Sequence, residues 1–284
     1  MKYRFPRFPG GKAKAVTLSY DDGSNDDVKL LDIIDKYGIK CTFNLMGNSV
    51  GEGRRLSREY VYERLLDKGH EVATHGYNHR ALGIISSVDG IQDTLNCRLA
   101  LEKELDMIIR GLAFPDKAVD RFKHPDTYKQ IRSYLEALGI VYARTLGGDN
   151  DSFELPEDWL NWMPTAHHAN PNLMKYIDKF VNMDVENLYC AARSPRLFYL
   201  WGHSFEFERK GNWDLLENIC SQLANRDDIW YATNIEIYDY IHAYNSLVFS
   251  ADGSIAYNPT LIDVHFVTDG VPYLIHSGET LRFN

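Results

Sequence analysis

Residues Ala15–Gly23 read AVTLSYDDG, and the reading of this stretch decides the fold. An apolar, β-forming run stops at two adjacent carboxylates and a glycine, as a buried strand does where it reaches the rim of an α/β protein. Neighbouring residues of an extended chain face opposite ways. Asp21 and Asp22 therefore serve one pocket only if the backbone turns there, and Gly23 permits that turn. Taken alone, the pair is read more simply as a cap for a helix starting near Asn25 or Asp26.

Outward from this stretch, short β-rich runs alternate with segments of helical period, the signature of parallel strands joined by crossover helices. The strands expected are Ala15–Tyr20, Lys40–Leu45, Glu71–Thr74, Leu112–Phe114, Ile140–Ala143, Leu197–Trp201 and Ile229–Ala232. Helices are expected over Asp26–Tyr37, Ser57–Lys68, Ser87–Met107, Thr127–Leu138, Pro171–Asn182, Asn212–Ala224 and Ile235–Ala243. Several end on a glycine leading into the next strand, as in YGIKCTF, KGHEVAT and LGIVYAR, and glycine closes a helix in the left-handed conformation. Periodicity alone fits an α/β barrel and an open sheet equally. Beyond residue 246 the pattern becomes alternating segments, SLVFS, DVHFVT and PYLIHS, split by ADG, NPT and TDG turns. The expected organisation is an α/β domain over residues 1–245, its closure into a barrel left open by periodicity, and an antiparallel β extension over 246–284 packed against it.

The chain has 284 residues and a formal charge of -9, which argues against a nucleic-acid binder and for a neutral partner. Cys41, Cys97, Cys190 and Cys220 have no CxxC spacing and read as free thiols of a reducing compartment. The basic N-terminus lacks an apolar core and no long apolar run occurs, so the expectation is a cytoplasmic protein with no membrane partner.

Two further strand ends carry chemistry. In HEVATHGYNH, His75 and His79 stand four apart after a strand, so both imidazoles can face one metal. In FYLWGHSFEFE, an apolar run ends at His203. Acids, histidine pair and lone histidine each sit at the C-terminal end of a different strand, where α/β sites converge.

TLSYDDG, HGYNH, GLAFP and GHS, in that order from Ala15 to Ala243, resemble the motifs of the polysaccharide deacetylases, a carbohydrate esterase family. The resemblance implies a distorted (β/α)7 barrel. It implies a metal-dependent hydrolase removing acetyl groups from an N- or O-acetylated carbohydrate, with Asp22, His75 and His79 on a divalent cation. Zn²⁺ leads, and Co²⁺, Ni²⁺, Mn²⁺ and Fe²⁺ suit similar sites. By the same resemblance Asp21 is the base, His203 the acid, and the backbone near Pro115 and Asp116 helps hold the oxyanion.

The match departs from the family at several points. The arginine that orients the base is replaced by Ala113; Arg110 and Arg144 are the candidates to stand in for it. Gly76 stands in place of a Ser or Thr, and Ser204 in place of an acid after the late histidine. An acid and tryptophan pair has no clean counterpart in GGDNDSFELPEDWLNW, where Asp149, Asp151 and Asp158 with Trp159 or Trp162 are candidates. Trp162 and Trp201 are the rings proposed to meet a sugar face. PGGK reads as a turn, His167 and His168 as a surface loop, and Glu206 and Glu208 as solvated acids on an extended stretch. Two other readings stay open: hydrolysis of another carbon–nitrogen bond, as in cyclic ureides, and a catalytically weak carbohydrate-binding barrel.

Overall fold

The computed structural model describes residues 3–116, 125–146 and 149–283. Its strands are β1 (Arg4–Arg7), β2 (Lys14–Asp21), β3 (Cys41–Leu45), β4 (Glu71–Thr74), β5 (Gly111–Ala113), β6 (Tyr142–Arg144), β7 (Ala166–His167), β8 (Arg196–Gly202), β9 (Ile229–Tyr231), β10 (Val248–Phe249), β11 (Ile255–Tyr257), β12 (Val264–Thr268), β13 (Val271–Ile275) and β14 (Thr280–Arg282). The main sheet is parallel and runs β6-β5-β4-β3-β2-β8-β7, with β9 also pairing β2. Trp162 bridges to Arg144 of β6, and four residues later Ala166 pairs with Leu200 of β8. The short segment 162–167 thus joins the two sides of the sheet, and the architecture is a distorted (β/α)7 barrel with an antiparallel addition.

All seven expected strands lie in the main sheet, which holds an eighth that was not expected, β7. Ile229–Tyr231 pairs with the first half of β2, below β3, whereas Ala166–His167 fills the place between β8 and β6. Its two-residue length explains why no β-rich run marked it.

All eight residues of β2 are buried, because parallel strands in this fold class are covered on both faces. Val16, Leu18 and Tyr20 pack outward with Leu30, Leu31 and Ile34 of the helix Asp27–Lys36. The alternate residues face the barrel interior: Thr17 donates to Asn234 Oδ1 at 2.9 Å, and Ser19 and Asp21 both accept from Asn44 Nδ2, at 2.7 and 2.8 Å. The period of two thus delivers Asp21 to the interior at the upper end of the strand.

Helices Ser87–Leu105, Pro125–Ala137, Leu173–Val181, Trp213–Leu223 and Asn234–Asn245 lie close to the expected bounds. The segment expected as one helix from Ser57 begins with a helical turn, Arg58–Tyr60, and continues as a π-helix, Val61–Leu66. Ser204–Lys210, read as an extended stretch, is a helix closed by Gly211 at φ 61°. The alternation of Phe and Glu there mimics a strand, but one residue past the end of β8 the chain turns into the helix.

The C-terminal strands, joined by β1 from the N-terminus, form two small antiparallel sheets, β1-β12-β13 and β10-β11-β14. Ala243 and Leu247, at the end of the last helix, share a buried cluster with Ala256, Val264, Phe266 and Ile275, which seats this layer on the barrel. Among the described residues no helix is long and apolar enough to cross a membrane, and all four cysteines are free.

Candidate active site

Asp22 directly follows β2 with φ 77°, a left-handed conformation that Asp tolerates better than most residues, and its amide donates to Asn44 O at 3.1 Å. Continuation as a strand would point its side chain away from that of Asp21; the turn, followed by Gly23 at φ 61°, brings both carboxylates to one pocket. His75 follows β4 directly. Gly76 at φ 73° and His79 at φ 52° curl the chain so that the two imidazole centroids are 4.8 Å apart. The buried Asp93 carboxylate staples this turn, accepting from the amides of Tyr77 at 3.0 Å and Asn78 at 2.9 Å. A β-carbon on Gly76 would lie 2.7 Å from Asp93 Oδ2, so the residue at this departure from the family pattern is the one that lets the staple approach.

Asp22 Oδ1 lies 3.6 Å from His75 Nε2 and 3.5 Å from His79 Nε2. Ligand atoms about 2.1 Å from a tetrahedral cation stand about 3.4 Å apart, so the spacing fits a divalent metal. His75 Nδ1 is 3.0 Å from Ala113 O, which assigns the hydrogen to Nδ1 and leaves the Nε2 lone pair free. That Nε2 is buried without a hydrogen-bond partner. An orphaned acceptor aimed between a carboxylate and a second imidazole is a group that a cation would satisfy.

Asp21 is 1% exposed. Arg144 Nη2 donates to its Oδ2 at 2.5 Å and Asn44 Nδ2 to its Oδ1 at 2.8 Å. Burial pushes this carboxyl up, but Arg144, the nearby imidazoles and Asn44 outweigh burial and hold it below its ordinary value. The Arg144 guanidinium is itself fully buried and lies 4.4 Å from the ring centre of Trp201. Arg144 stands in register with Ala113. Arg110, the other candidate, is not brought to the site: at the opposite end of β5 it pairs with Asp239 at 2.6 and 3.0 Å.

His203 Nε2 is 3.9 Å from Asp21 and 4.0 Å from Asp22, while its Nδ1 lies 3.0 Å from Glu206 Oε1. Burial lowers its pKa, but Glu206 and the two aspartates more than reverse this and raise it above the usual histidine value. Glu206 is the acid that sequence reasoning missed. It sits one helical turn after His203, and the unrecognised helix concealed that spacing. Asp149, Asp151 and Asp158 are engaged elsewhere, Asp149 with Asn170 and Tyr176, Asp151 with Lys179, and Asp158 with Tyr128 and Arg132; Gly147 and Gly148 of that stretch lie outside the described residues.

Trp201 lies beside the site, whereas Trp162 does not reach it. Buried in the wall, Trp162 packs edge-on against Tyr142, Trp159 and Tyr199. Its backbone joins 162–167 to β6, which commits the ring to the core. His167 and His168 form no surface loop: His168 is buried against Phe207 and its Nε2 lies 3.0 Å from Glu206 Oε2. Pro115 lies against the Gly76 turn, and Asp116 is exposed at φ 53°. A cavity of about 590 Å³ opens over Asp22 and His79, lined also by Met46, Arg55, Phe205 and Arg209.

Residues 9–141 match the family model described as polysaccharide deacetylase. The peptidoglycan-N-acetylglucosamine deacetylase PgdA of Listeria monocytogenes serotype 1/2a (strain 10403S) is 30% identical over 82 residues, a match covering 28% of this chain and 16% of the relative. The Xyl-CE4 domain of a multidomain xylanase from the hindgut metagenome of Trinervitermes trinervoides superposes with a TM-score of 0.52 at 17% identity, over 82% of this chain and 92% of that one. Puue allantoinase superposes with a TM-score of 0.60 at 13% identity, over 84% and 93%. At such identities the two structures share the fold.

Proposed function

We propose, from the match of residues 9–141 to the polysaccharide deacetylase model, that the chain is a metal-dependent hydrolase of that family, removing acetyl groups from an N- or O-acetylated carbohydrate. The observation that carries this reading is the lone pair of His75 Nε2, buried, unpartnered and 3.6 Å from Asp22 Oδ1. Asp22, His75 and His79 would hold the cation, with zinc the first choice for one carboxylate and two imidazoles. Bound there, it supplies Lewis acidity, lowering the pKa of water from about 15.7 towards about 7 and polarising the acetyl carbonyl.

The remaining work falls to side chains. Asp21 is kept ionised by Arg144 and Asn44, and its Oδ2 lies 3.9 Å from His75 Nε2, beside the proposed metal triad. It takes the proton of the attacking water as general base. His203 enters the cycle as an imidazolium, Nδ1–H tied to Glu206, and gives its Nε2 proton to the departing nitrogen or oxygen. The backbone at Pro115 and Asp116 would help hold the developing oxyanion, and the Trp201 ring centre lies 4.4 Å from the Arg144 guanidinium.

An acetate-release assay over a panel of acetylated sugars, with metal-stripped and reconstituted protein, tests the reading. Activity should follow metal content at about one ion per chain, and His75→Ala should lose both. Asp21→Asn should keep the ion and lose about 100- to 10,000-fold in rate. Background acetate release over the whole panel together with turnover of a cyclic ureide would move the assignment to other carbon–nitrogen bonds; background on both would leave a binding barrel.

A further inference from the structure

A second cluster of metal-ligating groups lies on the far side of His203 from the two aspartates. Nε2 of that ring faces the acids and Nδ1 faces Glu206 Oε1 at 3.0 Å. His167 Nε2, at the end of β7, approaches the same oxygen at 3.5 Å. Ligand atoms of His167, His203 and Glu206 all fall within 4.8 Å of one another, as do those of Asp22, His75 and His79. The contacts of 3.0 and 3.5 Å bracket the spacing of about 3.4 Å expected around a tetrahedral cation.

The carboxylate is also held from its other side. His168, buried beside Phe207, lies 3.0 Å from Glu206 Oε2 through Nε2, which fixes the orientation of Oε1 as an outer-shell partner orients a ligand. The three side chains are partly exposed, so an ion reaches them from solvent. Lys210 Nζ stands 3.8 Å from Oε2 and weakens the attraction for a cation, so this cluster fills after the Asp22 set.

We propose that His167, His203 and Glu206 form a second divalent-cation site, filled when free metal is abundant, and that its filling inhibits the enzyme. Inhibition rests on the reading of His203 as the acid; binding does not. The cation takes the lone pair of His203 Nδ1, and the proton carried there leaves to solvent. The hydrogen that remains on Nε2 then belongs to a neutral, coordinated imidazole, a far weaker acid than imidazolium, and the leaving group goes without its proton.

Metal-stripped protein titrated with Zn²⁺ by calorimetry tests the proposal. The wild type should take about two ions, the second at least about tenfold more weakly, with about one proton released, seen by repeating the titration in buffers of different ionisation heat. His167→Gln, which keeps a side chain of similar bulk, should lose the weaker ion and the inhibition of acetate release by excess Zn²⁺. His75→Ala should lose the tighter ion and keep the weaker. A single ion in the wild type, a second ion bound equally well by His167→Gln, or loss of both ions in His75→Ala would overturn the proposal. A wild type that binds both ions as described and releases no acetate from any sugar refutes the proposed activity while leaving the second site standing.

Discussion

Removal of Arg144 is the perturbation to which the proposed base should respond most strongly. Its guanidinium is fully buried, 2.5 Å from Asp21 Oδ2, and it is also supported by Thr145 O at 3.4 Å and the Trp201 ring at 4.4 Å. In Arg144→Ala, a carboxylate that is 1% exposed is left with Asn44 as its remaining side-chain donor. Taking one partner from a buried ion pair costs about 3–5 kcal/mol, because the other charge stays desolvated. Urea denaturation at neutral pH should therefore show a loss of that size with an unchanged m-value. With the base no longer held, kcat should fall by about 100- to 10,000-fold, with a smaller change in KM. Arg144→Lys keeps a cation but replaces a planar fork by a point charge, so it should recover part of the stability and less of the rate. An Arg144→Ala protein with the wild-type denaturation midpoint and unaltered kcat would refute the claim that this pair holds the base.

Three further outcomes follow from the geometry. Glu206→Gln removes a charged hydrogen bond to His203, worth about 1.5–3 kcal/mol, so kcat should drop by about 10- to 150-fold with tight-site metal content unchanged; full activity would exclude Glu206 as the residue that positions His203. Gly76→Ala places a β-carbon 2.7 Å from Asp93 Oδ2 in a left-handed backbone, and should cost about 1–3 kcal/mol and weaken metal binding, as a chelator competition would show. Glu71, in the barrel floor, accepts from Tyr142, Thr42 and the Ile235 amide, yet burial pushes its pKa up from 4.5 to about 7. The folded state then binds the extra proton between those values, so stability falls as pH rises through this window, by about 3 kcal/mol; Glu71→Gln should flatten that slope, and parallel profiles for variant and wild type would sink the assignment.

The strand ends were legible because each carried a local signal: an apolar run followed by DDG, by HGYNH or by GHS. Asp22, His75, His79, Asp21 and His203 accordingly meet where the motifs placed them. Partners that depend on neighbours across the sheet were less legible. Arg144 remained one of two candidates until strand register separated it from Arg110, and Trp162 looked like a sugar platform until its backbone was seen to pair with β6. Glu206 was hidden by a period-two alternation of Phe and Glu lying on a seven-residue helix, too short for its own pattern to outweigh the imitation of a strand. β7 carried no pattern at all, since two residues have no periodicity.

The substitution at Ala113 shows what such a barrel holds constant. Ala113 and Arg144 are partners in the β5–β6 ladder, hence at one height along the barrel and about 4.8 Å apart across it. An arginine moved from one to the other keeps its level relative to Asp21 and needs only the reach that its long side chain already has. The same economy applies to Glu206, which contacts His203 from the next helical turn, whereas the acids of the loop 149–158 serve local pairs instead. What the fold conserves in this reading is the set of charges around Asp21 and His203, a cation behind the base and a carboxylate behind the acid. The strand or turn that delivers each is free to change, provided the substitute stands at the same level of the barrel.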